Sequence, residues 1–292
     1  MESIPPGPNA SSKRTASLTA VGAAGLRAAH ILLDDAPPIL DDTLASRLLD
    51  ARAASSIREH PDRFRTPGSL AIRCDVVVRS RYAEDRLADA VRRGVRQYVI
   101  LGAGLDTFAY RQPAWATELQ IVEVDHAASQ ADKQNRLKRA GIETPPNVRY
   151  AAADLEANDL ASAFVSAGLD RTKAAFVACL GVLIYLSEDA ADAIFATAAS
   201  LAAGSEFVFT FSRPDASTAR PPALASAAAH MAAIGEPWRT RFDPDAVAAK
   251  LKSSGLSSIG FLFAEDVTER YLRSRNDGLR APSRVVLADA TV

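Results

Sequence analysis

Two short segments carry residue types that could hold a nucleoside-containing ligand. The first is Gly102-Ala103-Gly104, which closes the apolar run Gln97–Leu101. Glycines at such a point let the backbone turn sharply and let a ligand approach closely, although a ligand-free tight turn would need them too. The second is the pair Glu123 and Asp125, about 20 residues further on, where an acid meets ribose hydroxyls. Strand alternation places both acids on one side, and we expect Asp125, at the strand tip, to bind the ribose.

The glycine segment leaves two cofactor classes open, a nicotinamide dinucleotide and S-adenosylmethionine. Thr107 occupies the position of the third glycine in the dinucleotide pattern G-x-G-x-x-G, so close approach of a helix below a pyrophosphate is not provided for. Asp106 would repel a pyrophosphate but tolerates a cationic donor. The residues therefore favour the sulfonium cofactor, and an NAD(P)-dependent oxidoreductase is the alternative.

Two later segments extend the candidate site. Asp154-Leu155 suits an adenine pocket, because the acid can accept the exocyclic amine while leucine packs on the ring, although a helix N-cap would look the same. The stretch Cys179–Leu186 closes another strand, and open α/β sheets bind ligands outside the carboxyl ends of their strands. Tyr185 in this stretch is a candidate wall of the substrate pocket or, equally, a buried core tyrosine.

Apolar, strand-like runs alternate with helical segments along the middle of the chain. The predicted strands are Gln97–Leu101, Leu119–Val124, Val148–Ala152, Ala175–Leu180, Glu206–Phe211, Ser257–Phe263 and Arg284–Ala288. Helices are predicted at Ala127–Ala140 and at Glu188–Ala203, the latter with Ser187 as its N-cap. This alternation predicts a doubly wound α/β fold with a parallel sheet and right-handed crossovers.

The two ends of the chain differ from this middle part. Helices are predicted in the N-terminal part of the chain, from Ala16 to Asp89, with loops between them at Pro37-Pro38 and at Pro61 to Gly68. In the tail we expect an Ala-rich helix opened by Arg220, an exposed aromatic and basic patch over Trp238 to Phe242, and a helix at Asp245 to Lys252. We predict a disordered leader over 1–15 and one domain over 16–292, divided into an N-terminal cap (16–90), a core (91–212), and a lid with the last strands (213–292).

Composition excludes several classes of partner. The 292 residues carry 34 basic and 35 acidic side chains, so no basic surplus indicates nucleic acid or an anionic membrane. The two cysteines lack the spacing of a zinc site and are too few for a disulfide framework, which predicts no metal and a reducing compartment. No apolar run approaches the roughly 20 residues that span a bilayer, and no secretory signal is visible. We expect a cytoplasmic protein with a small-molecule partner; the oligomeric state is not readable.

Taken together, four strings resemble the leucine carboxyl methyltransferase family, and more closely its bacterial branch, which includes polyketide O-methyltransferases. The strings are Val99–Thr107 with Tyr110-Arg111, Val122–Asp125, Ala153–Leu155 and Gly181–Leu186. The resemblance implies a Rossmann-like class I methyltransferase sheet with an N-terminal helical extension and a helical lid. It also implies an S-adenosylmethionine-dependent O-methyltransferase acting on a carboxylate or hydroxyl of a small molecule.

The resemblance also implies roles for single residues. Arg81 matches the arginine that grips the methionine carboxylate, for which a bidentate guanidinium is suited. The glycines would face the methionine moiety, Asp125 the ribose, and Asp154 with Leu155 the adenine. The predicted cofactor-binding residues are Arg81, Gly102, Ala103, Gly104, Asp106, Glu123, Asp125, Asp154, Leu155, Cys179 and Leu180. Leu180 departs from the glutamate common in the family at this position, so a catalytically inactive cofactor-binding protein is a second alternative.

Fewer features of the sequence indicate which residues bind the methyl acceptor. We expect the cap and a lid over Arg213 to Phe242 to fold over the sheet and set specificity. Residues that could line the acceptor pocket are Tyr185, Trp238, Arg241 and Tyr271. A carboxylate acceptor needs no general base, whereas a hydroxyl would need one. His126 should lie beside the cofactor and His230 in the lid, but neither is predicted to be catalytic, and no catalytic residue is assigned.

Overall fold

A computed structural model describes residues 17–157, 160–214, 228–229 and 231–292. Its helices are α1 (Leu18–Leu33), α2 (Ala51–Glu59), α3 (Pro67–Arg92), α4 (Ala127–Arg139), α5 (Leu160–Ser166), α6 (Glu188–Ala199), α7 (Pro244–Ser254) and α8 (Ala264–Val267). Its strands are β1 (Gln97–Leu101), β2 (Gln120–Asp125), β3 (Val148–Ala152), β4 (Ala175–Cys179), β5 (Glu206–Ser212), β6 (Ser257–Leu262) and β7 (Val285–Thr291). The predicted leader, the start of the helix expected from Arg220, and His230 lie outside the described residues.

The described strands form one seven-stranded sheet in the order β3-β2-β1-β4-β5-β7-β6. Strands β1 to β5 are parallel, and Leu101 at the end of β1 lies opposite both Val124 of β2 and Cys179 of β4. The three strands therefore finish side by side, at what we call the carboxyl edge. The strand order reverses between β1 and β4, which is where sheets of this kind bind ligands.

The sheet is mixed, so the prediction of a parallel sheet is wrong for β7. That strand runs antiparallel to β5 and β6, with Val285 opposite Ser212. Strand β6 ends at the carboxyl edge, and the chain passes through α8 and starts β7 at the same edge. No crossover back to the opposite edge is made, and a strand entered in this way must be antiparallel.

Helices cover both faces of the sheet, which confirms the doubly wound α/β fold. On one face α5, α6 and α7 pack against a core that includes Phe195, Phe207 and Phe209. On the other face α3 and α8 pack against Tyr98 and Phe176. Each face buries a continuous layer of apolar side chains, and burial of this kind is the main favourable contribution to folding.

Buried charges fasten the N-terminal cap to the core. Arg27 of α1 donates from Nε to Asp42 at 2.7 Å and from Nη2 to the backbone oxygen of Leu105 at 2.6 Å. Asp34, after the end of α1, accepts two hydrogen bonds from the fully buried Arg73 of α3. Buried charged groups are tolerated only when they are paired and hydrogen-bonded in this way. The cap thus holds the loop that follows the glycine segment.

Several element boundaries differ from the predictions. Pro67 and Gly68 open α3 instead of a loop, with Thr66 as N-cap, because proline is tolerated in the first turn of a helix. The patch over Trp238 to Phe242 is not exposed throughout: Phe242 belongs to the buried core. Helix α6 ends at Ala199, four residues earlier than predicted, although its N-cap is Ser187 as expected.

Candidate functional site

The segment Gly102-Ala103-Gly104 forms a tight turn at the end of β1. Gly102 and Gly104 have φ values of +62° and +43°, in the left-handed region that favours glycine. The amides of Gly102 and Ala103 both donate to the backbone oxygen of Val124, at 2.8 and 3.2 Å. A Cβ atom on Gly102 would lie 2.4 Å from the side chain of Val182, so no other residue fits there without rearrangement.

Asp125, at the tip of β2, is joined directly to this turn. Its Oδ2 accepts a hydrogen bond from the Gly104 amide at 2.6 Å, and its Oδ1 accepts one from the His126 amide at 2.6 Å. The helix that follows is capped by His126 itself, whose Nδ1 accepts from the amide of Ala128. Asp125 is therefore not the helix cap, and its half-buried carboxylate lies between the glycine turn and the start of α4.

Glu123 lies on the same face of β2 but deeper. It is buried and paired with Lys133 of α4, whose Nζ is 2.7 Å from Oε2, and it accepts a hydrogen bond from Tyr110 at 3.2 Å. Burial raises the pKa of Glu123 above its ordinary value, against the opposing effect of the Lys133 charge. The Glu123 carboxylate is therefore held inside the protein by Lys133 and Tyr110, whereas the Asp125 carboxylate lies at the carboxyl edge.

The predicted adenine-binding pair lies beside Asp125. The Ala153 amide donates to the backbone oxygen of Asp125 at 3.0 Å, which places Asp154-Leu155 at the end of β3, next to the tip of β2. Asp154 accepts from the Glu156 amide at 3.1 Å, and Leu155 packs partly buried against the core. Asp106 stays within the loop after β1, where it accepts from the Phe108 amide at 2.8 Å. The turn, Asp125 and Asp154 thus occupy three neighbouring strand ends.

At the end of β4 and directly after it, two predicted site residues are packed into the protein. Cys179 is fully buried, and burial raises the pKa of its thiol to about 12, so it is neutral at physiological pH. Leu180 is half-buried and packs against the α3 side of the sheet. The next residue, Gly181, donates its amide to Thr210 at 2.7 Å. Neither Cys179 nor Leu180 presents a charged group at the carboxyl edge.

An arginine that we did not predict reaches the carboxyl edge from α3. The guanidinium of Arg79 lies 2.7 Å from the position a Cβ would take on Gly181, and it pairs with Asp75 at 2.9 Å. Arg81, the predicted residue, instead pairs with Asp85 at 2.7 Å, and its side chain is 47% exposed. Residues two apart on a helix point about 200° away from each other. The structure therefore brings Arg79, and not Arg81, to the other site residues.

No signal in the sequence could have separated the two arginines. Each has an aspartate four residues away, Asp75 for Arg79 and Asp85 for Arg81, so both look like surface ion pairs on a helix. Only the packing of α3 on the sheet decides which pair faces Gly181.

The four predicted acceptor-pocket residues do not form one cluster. Tyr185 lies beside Trp238 and Thr19, and burial raises its pKa. Arg241 is partly buried a few residues after Trp238. Tyr271 donates instead to Asp85 of α3 at 3.2 Å, on the side where Arg81 lies. Tyr185 and Trp238 are thus brought together, and Tyr271 is placed apart from them.

Helix α1 and the segment 236–242 contact the carboxyl edge. A Cβ on Gly104 would lie 3.0 Å from the Cβ of Ala20 in α1. The Thr19 amide donates to Glu236 at 3.0 Å, and the Arg239 amide donates to the backbone oxygen of Ile184 at 2.7 Å. The described ends of the cap and of the predicted lid therefore meet beside the glycine turn.

Clusters of metal-binding side chains and membrane-spanning helices are both absent from the described ranges. No group of three or more His, Cys, Asp or Glu side chains in them is arranged to hold a metal ion. Among the helices of the same ranges, none is both long enough and apolar enough to pass through a lipid bilayer.

Comparison with known proteins adds independent evidence. Residues 20–199 match the family model described as leucine carboxyl methyltransferase. A Bacillus subtilis protein, YktD, named as an S-adenosyl-L-methionine-dependent methyltransferase, is 30% identical over 92% of this chain and 95% of its own. A similarly named Mycobacterium marinum protein is 33% identical over 62% of this chain and 61% of its own.

Solved structures agree on the fold. A protein of Thermobifida fusca described as a methyltransferase aligns with a TM-score of 0.57 at 16% identity, covering 96% of each chain. A DUF574 family protein of Streptomyces avermitilis aligns with a TM-score of 0.55 at 17% identity, covering 91% of this chain and 96% of its own. The resemblance first seen in the four strings is confirmed: the chain belongs to the leucine carboxyl methyltransferase family and is an S-adenosylmethionine-dependent methyltransferase.

Proposed function

We propose that the enzyme transfers the methyl group of S-adenosylmethionine to an oxygen atom, a carboxylate or a hydroxyl, of a small molecule. The observation that carries the proposal is the convergence at the carboxyl edge. The glycine turn, Asp125 and Asp154 occupy the ends of β1, β2 and β3. The guanidinium of Arg79, from α3, lies against Gly181, which follows β4. The description of the family, which names a carboxyl group as the acceptor, supports oxygen as the methylated atom.

The residues at the carboxyl edge fit S-adenosylmethionine, the methyl donor. We assign the ribose hydroxyls to Asp125, the adenine to Asp154 and Leu155, and the close approach of the methionine moiety to Gly102 and Gly104. The carboxylate of that moiety needs a cation, and we assign this role to Arg79, in place of Arg81, because its guanidinium lies against Gly181. A bidentate arginine–carboxylate pair is both strong and geometrically specific. S-adenosylmethionine, when bound, supplies an electrophilic methyl group.

The main contribution of the protein to catalysis is then to position the methyl donor and the acceptor. Methyl transfer is an in-line displacement, which proximity and alignment accelerate strongly. Glycine turns are rigid once hydrogen-bonded, and the amides of Gly102, Ala103 and Gly104 are all bonded to β2. The neutral, buried thiol of Cys179 is not placed to act as an intermediate methyl carrier.

The test uses S-adenosylmethionine with an isotopically labelled methyl group and panels of carboxylic acids, phenols, amines and thiols. We expect label only in the acids or the phenols, as base-labile methyl esters or base-stable methyl ethers. A Gly102→Ala enzyme serves as the control that should transfer no label. Label found only in amines or thiols would contradict the proposal.

A further inference from the structure

We propose that the first part of α1, residues 18–23, is a gate over the glycine turn, latched by Glu236 and hinged at Gly22 and Gly25, which must open before S-adenosylmethionine binds. This inference rests on the donor position assigned under the proposed function and adds a conformational step to donor binding.

The gate lies directly on the glycine turn. The Cβ of Ala20 is 3.0 Å from the position that a Cβ on Gly104 would take, closer than the roughly 3.5–4.0 Å at which carbon atoms rest in contact. A ligand atom therefore has no room between Ala20 and Gly104. The methionine moiety, which we assign to this turn, can approach this face of Gly104 only after Ala20 has moved away.

Glu236 holds the gate at the start of α1. Its Oε2 accepts hydrogen bonds from the amide of Thr19, at 3.0 Å, and from the Thr19 hydroxyl. The first amides of a helix have no partners within the helix, and the helix dipole favours a carboxylate beside them. The first turn of α1 has no acidic residue of its own, so Glu236 supplies this charge from 217 residues further along the chain.

The segment that carries Glu236 is fixed to the loop after β4. The Arg239 amide donates to the backbone oxygen of Ile184 at 2.7 Å. The Thr240 hydroxyl donates to the backbone oxygen of Leu183 at 2.6 Å. Glu236 is therefore a latch on a fixed support, and the partner that moves is α1.

The two halves of α1 differ in how firmly they are packed. None of residues 18–23 is buried, whereas Ala24 and residues 27–30 are. Gly22 and Gly25 lie at this boundary, and a Cβ on either would meet nothing within 4 Å, so packing does not require glycine there. Glycine inside a helix weakens it, and α1 should therefore bend most easily at these two residues.

A closed gate competes with the donor. Only the open fraction of the protein can bind, and the apparent affinity falls in proportion to that fraction. Weakening the latch should therefore strengthen donor binding. A contact that only supported the binding site would act in the opposite direction, because its loss would weaken binding. The direction of the change in affinity thus distinguishes a gate from a structural contact.

The experiment measures the affinity for S-adenosylhomocysteine by calorimetry and the association rate by stopped-flow fluorescence of Trp238, in a Trp115→Phe background. The ring of Trp238 lies beside Tyr185, which also contacts Thr19 of the gate, so opening should change its fluorescence. We expect the observed association rate to level off at high S-adenosylhomocysteine concentration, at the rate of gate opening.

Variants of the latch and of the hinge should act in opposite directions. Glu236→Ala removes a charge-assisted hydrogen bond from the closed state, so it should raise both the affinity and the limiting rate about tenfold. Glu236→Gln keeps an acceptor oxygen without the charge and should give a smaller change in the same direction. The double variant Gly22→Ala/Gly25→Ala stiffens the hinge and should lower the affinity and the limiting rate about 5- to 30-fold.

Two controls make matched changes away from the gate. Asp50→Ala removes a carboxylate that caps the start of α2, where it accepts from the Ala53 amide at 2.7 Å. Gly68→Ala adds a methyl group to a glycine of α3, where a Cβ would also meet nothing within 4 Å. Neither control should change the affinity or the limiting rate.

Three results would overturn the inference: a weaker or unchanged S-adenosylhomocysteine affinity in Glu236→Ala, unchanged binding in the double glycine variant, or association rates that rise linearly with concentration in every variant. Absence of S-adenosylhomocysteine binding in the wild type would instead contradict the donor assignment itself.

Discussion

The proposed donor side and the proposed acceptor side of the carboxyl edge are built differently. On the donor side, each group lies at the end of its own strand, and the strands β1, β2 and β3 are neighbours in the sheet. On the acceptor side, helix α1 and residues 236–242 lie over the edge, and the hydrogen bond that joins them links Thr19 and Glu236, which are 217 residues apart in the chain. The first arrangement follows from local segments, and the second exists only after folding.

This difference predicts which amino-acid substitutions each side tolerates. The donor turn depends on backbone geometry, which few residues other than glycine can adopt. The acceptor side depends on side-chain shape, which can change while the fold is retained. Donor binding should therefore be lost abruptly by single changes, whereas acceptor preference should be adjustable.

The largest expected effect tests the donor side. Gly102→Ala places a Cβ 2.4 Å from Val182 at a φ of +62°, so the turn must rearrange. We expect S-adenosylhomocysteine affinity to fall by more than about a hundredfold, equivalent to at least ~2.7 kcal/mol. Calorimetric titration measures this directly.

Gly141→Ala is the matched control for that change. Gly141 also has a φ of +62°, but a Cβ there would meet nothing within 4 Å. We expect a stability cost of about 1 kcal/mol from backbone strain and an unchanged affinity. Equal losses of affinity in both variants would show that strain alone, and not contact at the turn, explains the effect.

A smaller effect separates the two arginines of α3, at the border between the two sides. Removing a charge-assisted hydrogen bond costs about 1.5–3 kcal/mol, so Arg79→Met should weaken S-adenosylhomocysteine binding roughly 10- to 100-fold. Arg81→Met removes a half-exposed guanidinium that pairs with Asp85, and it should change the affinity less than about twofold. The opposite ranking would restore Arg81 to the role that the family resemblance implied.

Much of the donor side could be predicted from the sequence. Strands β1 and β3 match their predicted limits, Gln97–Leu101 and Val148–Ala152, because continuous or alternating apolar runs bounded by turn residues identify strands. The contact between the glycine turn and Asp125 follows from parallel neighbours that end at one edge. The roles of these residues toward the cofactor remain predictions.

The features that could not be predicted from the sequence depend on contacts between residues that are distant in the chain. The direction of β7 and its extension to Thr291 follow from pairing with β5 and β6, and its Asp289 is buried beside Tyr82 of α3, which no local pattern reveals. The rotation of α3 about its axis decides between Arg79 and Arg81, and it is set by tertiary packing.

A last prediction concerns the stability of the fold near the donor turn, and not the affinity for the cofactor. Burial alone would raise the pKa of Asp42, but Arg27 and Arg111 hold it below its ordinary value. The folded state therefore favours the carboxylate: the stabilisation is present above the unfolded pKa and is lost as the pH falls through the folded one. Asp42→Asn should lower the free energy of unfolding by about 1–3 kcal/mol at pH 7.

Denaturant unfolding of the wild type and Asp42→Asn from pH 7 to pH 3 checks this. The two curves should converge toward the acid end of the range, since the wild-type carboxyl is then becoming protonated. A constant difference across the range would show that Asp42 acts through packing and not through its charge.

The central claim is that the glycine turn, Asp125, Asp154 and Arg79 surround one binding site for S-adenosylmethionine. Calorimetric titration of the wild-type protein with S-adenosylhomocysteine, and separately with NAD, tests it most directly. We predict one S-adenosylhomocysteine bound per chain, stabilising the fold by ~2.7 kcal/mol at a hundredfold excess over Kd, and no binding of NAD. Binding of NAD without binding of S-adenosylhomocysteine would contradict the account.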